Sequence, residues 1–210
     1  MDAFGPGKTD EELWLRAREG DGQAFATVFD RHSDAVFTHC LRRGASWADA
    51  QDQTSMVFLE TWRKAGTLRF VEGSARPWLL LVATNVARND ARSRRRYAQA
   101  IARLPPAESE PDIADEAVRS AESREATARL AEAISSLRRT EQDVVALCHL
   151  GDLSYADAAE VLGIPVGTVR SRLSRARKRL LQILGPGQVE GSGPDDSEWD
   201  SVAASGGGQP

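Results

Sequence analysis

Cysteine and long apolar runs are both scarce in this sequence. Two cysteines among 210 residues, Cys40 and Cys148, are too few for a disulfide framework, and both lie in apolar helical patterns. No apolar run approaches the roughly 20 residues that span a bilayer, and the start MDAFGPGKTDEE has neither the basic residues nor the apolar core of a secretion signal. We therefore expect a reduced, cytoplasmic protein that is neither exported nor inserted into a membrane.

Catalytic and metal-binding patterns are equally sparse. The sequence has no glycine-rich phosphate loop, and no serine, histidine and aspartate stand in a context that suggests a nucleophile. His39-Cys40 and Cys148-His149 are the pairs that a zinc or thiol enzyme could use, but they lack close metal-ligand spacing. We expect no catalytic residue, no metal and no cofactor, and X-ray fluorescence for zinc tests the enzyme alternative.

Charge is unevenly distributed, although the formal net charge is only −4. Cations concentrate in residues 88–103 and 170–179, and acidic stretches elsewhere offset them. A slightly negative net charge argues against a protein that coats nucleic acid generally. The two local basic surfaces therefore matter more than the total charge. The 41% apolar content is enough for one or two small cores.

Residues 153–184 predict two helices joined by a tight turn. Ser154 is positioned to cap the first helix, with Asp157 three residues later. Gly163 can adopt the left-handed conformation that ends a helix, and Pro165 suits the first turn of the next. This pattern is typical of a helix-turn-helix.

The second of these helices has an apolar and a cationic face. Its apolar stripe, at spacings of four, three and four residues, consists of Val169, Leu173, Ala176 and Leu180. Six cations and no acid lie between Arg170 and Leu180. A merely solvated helix usually mixes charges of both signs, so a purely cationic face favours binding in a major groove lined by phosphates.

Capping patterns predict four helices in the first hundred residues. Their start signals are Thr9 with Glu12, Asp21, Ser46 with Asp49, and Ser74 with Pro77. His32 and His39 fall on the second helix, where we expect them at its surface or at the edge of the core. Between the third and fourth helices, two glycines and the lack of a period predict a loop.

The third helix is predicted to have two different sides. The apolar side carries Phe58, Leu59 and Trp62. The opposite side carries Asp49, Asp52, Met56 and Glu60 at spacings of three, four and four residues. We expect this exposed acidic ridge to be either a solvated face or a docking surface for a partner.

The fourth helix is expected to end in a second basic surface. Residues 88–103 contain six arginines and one acid, Asp90. With the aromatic residues Phe70, Trp78 and Tyr97, this surface is suited to single-stranded nucleic acid. The alternative is that arginines near a helix C-terminus offset the helix dipole.

Composition divides the chain into two domains. Pro105, Pro106 and an acidic stretch predict a linker over residues 105–125, between helical domains at 10–104 and 126–184. Leu130, Ile134 and Leu137 predict one helix of the second domain, and Thr140 with Asp143 predicts the cap of the next. Residues 1–9 are expected to be flexible and residues 185–210 to be a disordered acidic tail. The predicted fold is all-α.

These residues resemble a known family, the bacterial RNA polymerase sigma factors of the extracytoplasmic-function (ECF) group within the sigma-70 superfamily. The resemblance covers about residues 10–104 and 126–184. In the second domain, Leu153-Ser154-Tyr155, Leu162-Gly163 and residues 167–173, GTVRSRL, fit region four of that family. In the first domain, Asp49-Ala50, Trp62-Arg63 and Trp78-Leu79 are among the pairs that fit region two.

The resemblance implies a role for each surface. The helix-turn-helix would read the minus-thirty-five promoter element through Thr168, Arg170, Ser171, Arg172, Arg175 and Arg179. The fourth helix and the loop before it would melt and hold the minus-ten element through Phe70, Asn85, Arg88, Asn89, Arg92, Arg95 and Arg96. The third helix would bind the clamp of the largest subunit of core RNA polymerase through Asp49, Asp52, Ser55, Met56 and Glu60. An anti-sigma protein is a further partner that the family implies.

The sequence departs from the family in the third helix. Where the family usually has D-A-E-D-L-V-Q-E-T-F, residues 49–58 read DAQDQTSMVF, with less negative charge. We therefore expect weaker or altered docking on the polymerase clamp. A rival hypothesis is a plain helix-turn-helix regulator, which explains residues 154–179 but gives Trp62, Trp78 and the second basic surface no role.

Overall fold

The protein is described by a computed structural model over residues 8–101 and 121–185. Within these ranges the chain is helical, and its β contact is an isolated bridge between Val71 and Ser74. The all-α prediction is confirmed. Predictions for residues 1–7, 102–120 and 186–210, which include most of the linker and the acidic tail, lie outside the described residues.

Four helices form the first domain. They are α1 (Asp10–Arg18), α2 (Gly22–Arg42), α3 (Trp47–Arg63) and α4 (Arg76–Ile101), with a 3₁₀ turn at Ala65–Thr67. The predicted caps are confirmed: Thr9 Oγ1 accepts from the backbone of Glu12 at 3.2 Å, and Glu12 accepts in return from the backbone of Thr9 at 3.0 Å. The side chains of Asp21 and Ser46 accept from backbone N–H groups in the first turns of α2 and α3. Ser74 Oγ accepts from the backbone of Arg76, the first residue of α4, at 3.2 Å.

Aromatic side chains join α1, α2 and α3. Phe58 is buried, and its ring lies 4.6 Å from that of Phe29. Trp62 makes edge contacts with Trp14 at 5.8 Å and with Phe25 at 5.3 Å. Of the three residues predicted on the apolar side of α3, only Phe58 is buried, because Leu59 lies about 100° around the helix from it and is 43% exposed, and Trp62 is 41% exposed.

The carboxylate of Asp10 links α1 to α2 and to the start of α4. It accepts hydrogen bonds from His32 Nε2 at 2.5 Å, the backbone N–H of Ala75 at 2.9 Å and Arg31 at 3.1 Å. Burial alone would raise the pKa of Asp10, but the bond from His32, together with those from Ala75 and Arg31, lowers it to about 2.

Both histidines of α2 are buried, which corrects the expected position at the helix surface or core edge. His32 binds Asp10, and His39 Nε2 lies 3.1 Å from Thr84 Oγ1. Burial, with smaller contributions from neighbouring arginines, lowers the pKa of His39 to about 3. Hydrogen bonding to polar partners on other elements explains why these side chains are inside.

Four helices form the described part of the second domain. They are α5 (Ala121–Ser136), α6 (Arg139–Val145), α7 (Tyr155–Leu162) and α8 (Val166–Leu184), with a π-helical turn at Ala146–Leu150. Helix α5 begins inside the predicted linker, so residues 121–125 are helical. The predicted cap at Thr140 is wrong, because the N-cap is Arg138, two residues earlier, and the Glu141 carboxylate accepts from the backbone of Arg138 at 3.1 Å.

A single apolar cluster crosses from the second domain into the first. Its buried members in the second domain include Val144, Leu147, Val161 and Leu173. Val71 and Leu80 of the first domain are buried in the same cluster, and Trp78 and Leu81 pack against it. The two domains therefore share a core along one side of α4.

Candidate nucleic-acid interface

The helix-turn-helix consists of α7, a three-residue turn and α8. The Ser154 hydroxyl accepts from the backbone of Asp157 at 3.1 Å, as predicted. Gly163 has φ 66° and ψ 39°, the left-handed conformation that ends α7. A Cβ atom at Gly163 would lie 2.9 Å from the guanidinium of Arg69. The flexible Arg69 side chain could move aside, so it is the left-handed backbone that favours glycine at this turn.

The predicted apolar stripe of α8 is confirmed. Val169, Leu173, Ala176 and Leu180 are all buried, at 0 to 7% exposure. On the outward side, Ser171, Arg175 and Lys178 are exposed, and Thr168, Arg170, Arg172 and Arg179 are half-buried. The helix therefore packs through one face and presents hydroxyl and guanidinium groups on the other.

Hydrogen bonds along α8 fix part of this outward face. Arg175 donates from Nε to the carbonyl of Ser171 at 3.0 Å and from its second terminal nitrogen to Ser171 Oγ at 3.0 Å. Ser171 Oγ in turn donates to the carbonyl of Thr168 at 3.1 Å. The three predicted contact residues are thus one connected group, and ordering them before DNA binds lowers the entropy lost on binding.

Arg179 has a buried partner in its own domain. Its guanidinium donates to Glu141 Oε2 at 2.9 Å, and Glu141 is only 1% exposed. The same carboxylate oxygen caps α6. This pair holds α8 against α6, so Arg179 positions the recognition helix whether or not it also meets DNA.

We expect Glu141→Gln to lower the free energy of unfolding by about 1–2 kcal/mol, because it removes the charge that stabilises the buried hydrogen bond from Arg179. Urea denaturation followed by circular dichroism measures this effect. The matched control is Glu160→Gln on α7, where the side chain is exposed and a change within about 0.5 kcal/mol is expected. Equal stability of the two variants would contradict the structural role of the pair.

The second basic surface on α4 is divided between exposed and engaged groups. Asn89, Arg92 and Arg96 are exposed. Asn85, Arg88 and Arg95 instead bond residues of the second domain. Of the aromatic residues, Tyr97 is 69% exposed, whereas Phe70 packs into the first-domain core and Trp78 packs against the second domain. The structure does not bring these three rings together.

The acidic ridge of α3 is exposed over most of its length. Asp52, Ser55 and Met56 are exposed, while Asp49 pairs with Arg94 at 3.1 Å. Hydrogen bonds from Lys64 and Arg63 lower the pKa of Glu60, which remains ionised at neutral pH. Leu59 and Trp62, which were predicted on the opposite, apolar side, are 43% and 41% exposed and add an apolar strip to this surface. The spacing of three residues between Met56 and Leu59 was the signal for it.

The structure also bears on the enzyme alternative. Cys40 and Cys148 are buried free thiols, and burial raises their pKa values to about 11 and about 12. Residues 8–101 and 121–185 contain no group of three histidine, cysteine or acidic side chains placed to hold a metal ion. None of the helices in these ranges combines the length and apolar character needed to cross a membrane.

Comparisons with known proteins identify the family. Residues 28–97 match sigma-70 region 2, and residues 127–180 match sigma-70 region 4. The chain is 30% identical over 193 residues to the ECF RNA polymerase sigma-E factor of Haemophilus influenzae, covering 85% of this chain and 96% of that factor. It is 31% identical over 177 residues to the ECF RNA polymerase sigma factor BldN of Streptomyces coelicolor, covering 82% of this chain but only 65% of BldN.

The fold is shared with a solved structure of CnrH in complex with the cytosolic domain of CnrY. The TM-score is 0.53 at 23% sequence identity, over 83% of this chain and 96% of CnrH. Both domains thus have sigma-factor relatives, in the same order along the chain. This protein belongs to the ECF group of the sigma-70 family of RNA polymerase sigma factors.

Proposed function

We propose that this protein binds core RNA polymerase and directs transcription from promoters whose two elements are read by its two domains. The observation that carries the proposal is the outward face of α8, where six cations and no acid fall between Arg170 and Leu180 on a packed helix-turn-helix. A helix of this kind is suited to the major groove. No bond is made or broken by the protein itself.

The recognition helix α8 is proposed to bind the minus-thirty-five element as duplex DNA. Arg172 and Arg175 are proposed as the central contacts. Arg175 is exposed on the outward face, and Arg172 is half-buried at its edge, beside the buried stripe. Thr168, Arg170 and Ser171 support them from the N-terminal end of the helix. Arg179 is proposed to contribute mainly by holding α8 on Glu141.

Helix α4 and the loop before it are proposed to bind the minus-ten element as a single strand. Arginines on α4 supply charge for the phosphates, and the exposed Tyr97 supplies a ring on which a base can stack. Taking a base out of the duplex costs a few kcal/mol, which contacts to the separated strand must offset. Phe70 is half-buried in the first-domain core and is proposed to shape the loop.

The ridge of α3 is proposed to bind the polymerase clamp. It combines the acids Asp52 and Glu60 with an exposed apolar strip of Met56, Leu59 and Trp62. A mixed surface of this kind fits a partner that is both basic and apolar. The anti-sigma partner implied by the family stays a prediction.

We expect Met56→Glu, which restores an acid that the family usually has, to raise affinity for core polymerase about two- to fivefold, the range of one exposed ion pair. Fluorescence anisotropy of labelled protein titrated with core enzyme measures the change. Gln23→Glu adds the same charge on the exposed start of α2 and should leave the affinity unchanged. No gain with Met56→Glu would count against the acidic ridge as the docking surface.

Run-off transcription tests the proposed function directly. Purified core polymerase is combined with this protein on a pool of promoter fragments, with and without residues 185–210. Promoter-dependent transcripts are expected, and the shorter chain shows whether the acidic segment restrains them. Specific duplex binding without transcripts or core association would instead establish a simple helix-turn-helix regulator.

A further inference from the structure

The second domain occupies the face of α4 that is proposed to hold the minus-ten strand. Arg88 shows this most directly. Its guanidinium pairs with Asp143 of α6, and its Nε donates to the amide oxygen of Gln142 at 3.1 Å. The Arg88 side chain is only 14% exposed and that of Asp143 only 15%. A carboxylate of the second domain thus neutralises Arg88 in the place of a phosphate.

Two further groups on α4 are engaged by the same domain. The amide oxygen of Asn85 accepts from Arg88 at 3.0 Å and from Arg139 at 3.2 Å, while its amide nitrogen donates to the carbonyl of Leu81. Arg95 donates to Ser135 Oγ at 2.8 Å. Asn85 therefore has no free acceptor with which to read a base until Arg139 moves away.

Contacts at the other end of α4 also join the domains. Arg42 donates to the carbonyl of Leu150 at 3.0 Å and pairs with Asp152 at 2.5 Å. Arg76 donates to the carbonyl of Gly151 at 3.0 Å, beside the buried Leu80. The two domains are thus held together both at α6 and at the turn that precedes α7.

Within residues 8–101 and 121–185, the exposed part of the recognition face of α8 lies outside this seam. Ser171, Arg175 and Lys178 are exposed, and Arg175 bonds within its own helix. The face of α8 that packs, by contrast, is the stripe through Val169 and Leu173, which lies inside the second domain. The second domain thus engages half of the proposed strand-binding residues of α4, whereas the exposed residues of α8 stay accessible.

We propose that this closed arrangement inhibits only one of the two DNA-binding activities. The second domain blocks binding of single-stranded DNA at α4, and it leaves α8 available to duplex DNA. The inference rests on the proposed function of α4 and α8. Opening releases Asn85, Arg88 and Arg95 together from their partners in the second domain, so the protein gains its strand-binding surface in one step. Apparent affinity for a strand then scales with the fraction of open molecules.

The seam also carries groups that favour opening. Two guanidinium nitrogens of Arg43 are buried beside the Arg88–Asp143 pair with no hydrogen-bond partner among the described residues, and the indole nitrogen of Trp78 is in the same state. Burial and the charge of Arg88 lower the pKa of Arg43 to about 10. When the domains open, water can hydrate these groups. This hydration offsets part of the free energy by which the seam contacts stabilise the closed arrangement.

Two mild variants test the proposal in the full-length chain. Asp143→Asn removes the charge that holds Arg88, and Asp152→Asn removes the charge that holds Arg42. Asp152 has φ 53°, a conformation that asparagine tolerates well, so this variant is expected to fold normally. The control is Asp30→Asn, which makes the same charge change at an exposed position on α2.

Two readouts are needed. Dyes on Gln23→Cys and Gln182→Cys, both exposed positions, report domain separation by energy transfer, and the native cysteines are buried. A fluorescent random-sequence single-stranded DNA pool and its duplex counterpart report binding. We expect both seam variants to lower energy transfer and to bind the single strands more tightly than Asp30→Asn does, with equal duplex affinity. The gain should be about tenfold for Asp143→Asn, whose pair with Arg88 is largely buried, and about twofold for Asp152→Asn, whose pair with Arg42 is exposed.

Several results would overturn the proposal. One is that both seam variants show the same energy transfer as Asp30→Asn, or the same affinity for single strands. Another is a duplex affinity that rises by the same factor as the single-strand affinity, which would indicate a general charge effect. Failure of the proposed function is seen separately, as the absence of promoter-dependent transcripts from the unsubstituted chain, because the dye measurement requires neither polymerase nor promoter.

Discussion

Replacing Arg172 or Arg175 by alanine is expected to weaken binding to the preferred minus-thirty-five duplex about ten- to hundredfold, since a base contact is worth about 1–3 kcal/mol. Both side chains lie on the outward face of α8, so neither substitution opens a cavity in the buried stripe. A duplex selected from a random pool by the unsubstituted protein serves as the probe, and anisotropy titrations at fixed salt measure the affinity.

The pattern across sequences distinguishes the kinds of contact. Loss confined to the preferred duplex, with altered base preference, identifies a base contact, whereas uniform loss with a weaker salt dependence identifies a phosphate contact. Arg18→Ala, at an exposed position at the end of α1, is the matched control for loss of one cation. Equal affinity of Arg18→Ala and both α8 variants would remove α8 as the recognition helix.

Asp10→Asn is expected to lower the free energy of unfolding of the first domain by about 3 kcal/mol, because it breaks a buried charged cluster while its partners stay in place. Asp10 is 5% exposed and accepts from three groups on two other parts of the domain. Urea denaturation monitored by tryptophan fluorescence measures the loss. Glu11→Gln, at the exposed neighbouring position on α1, is the control and should change little.

The same cluster makes a prediction about pH. The pKa of Asp10 is about 2 in the folded chain, below its ordinary value of 3.8, so ionisation stabilises the fold above about pH 4. This contribution is lost as the pH falls from about 4 towards 2. Unfolding of the Asp10→Asn variant should therefore depend less steeply on pH in that window, and an unchanged slope would show that Asp10 does not control acid unfolding.

Local patterns in the sequence were sufficient to predict most helices. The caps at Thr9, Asp21, Ser46 and Ser154 depend on residues within one turn of each other, and the structure confirms all four. The apolar stripe of α8 is similarly local. The cap of α6 was missed because a glutamate side chain supplies it from within the helix, reaching back to Arg138, whereas Thr140 had the expected residue type.

The contacts between domains could not be predicted in this way. Periodicity indicates which face of α4 is apolar. It does not indicate that Trp78 and Leu81 pack against a cluster with members such as Val144, more than fifty residues later in the sequence. The partners of Arg88 are likewise distant in sequence, at Gln142 and Asp143. A cationic helix face predicts an anionic partner, and it does not indicate whether that partner is DNA or another part of the chain.

The residues of α3 that depart from the family pattern fall into a buried group and an exposed group. Gln53 and Thr54 are buried; Gln53 donates to Asp90 of α4 at 2.8 Å, and Thr54 donates to the carbonyl of Ala50 at 2.7 Å. Gln51, Ser55 and Met56 are exposed. The first pair therefore affects how α3 packs on α4, and only the exposed residues alter the surface offered to a partner.

The shared apolar cluster has a thermal consequence. Closing the domains removes Val71, Leu80 and their neighbours from water, so closure carries a negative change in heat capacity. Apolar burial contributes less on cooling. The closed population is therefore expected to shrink as the temperature falls, and a cold cell would contain more molecules with α4 uncovered.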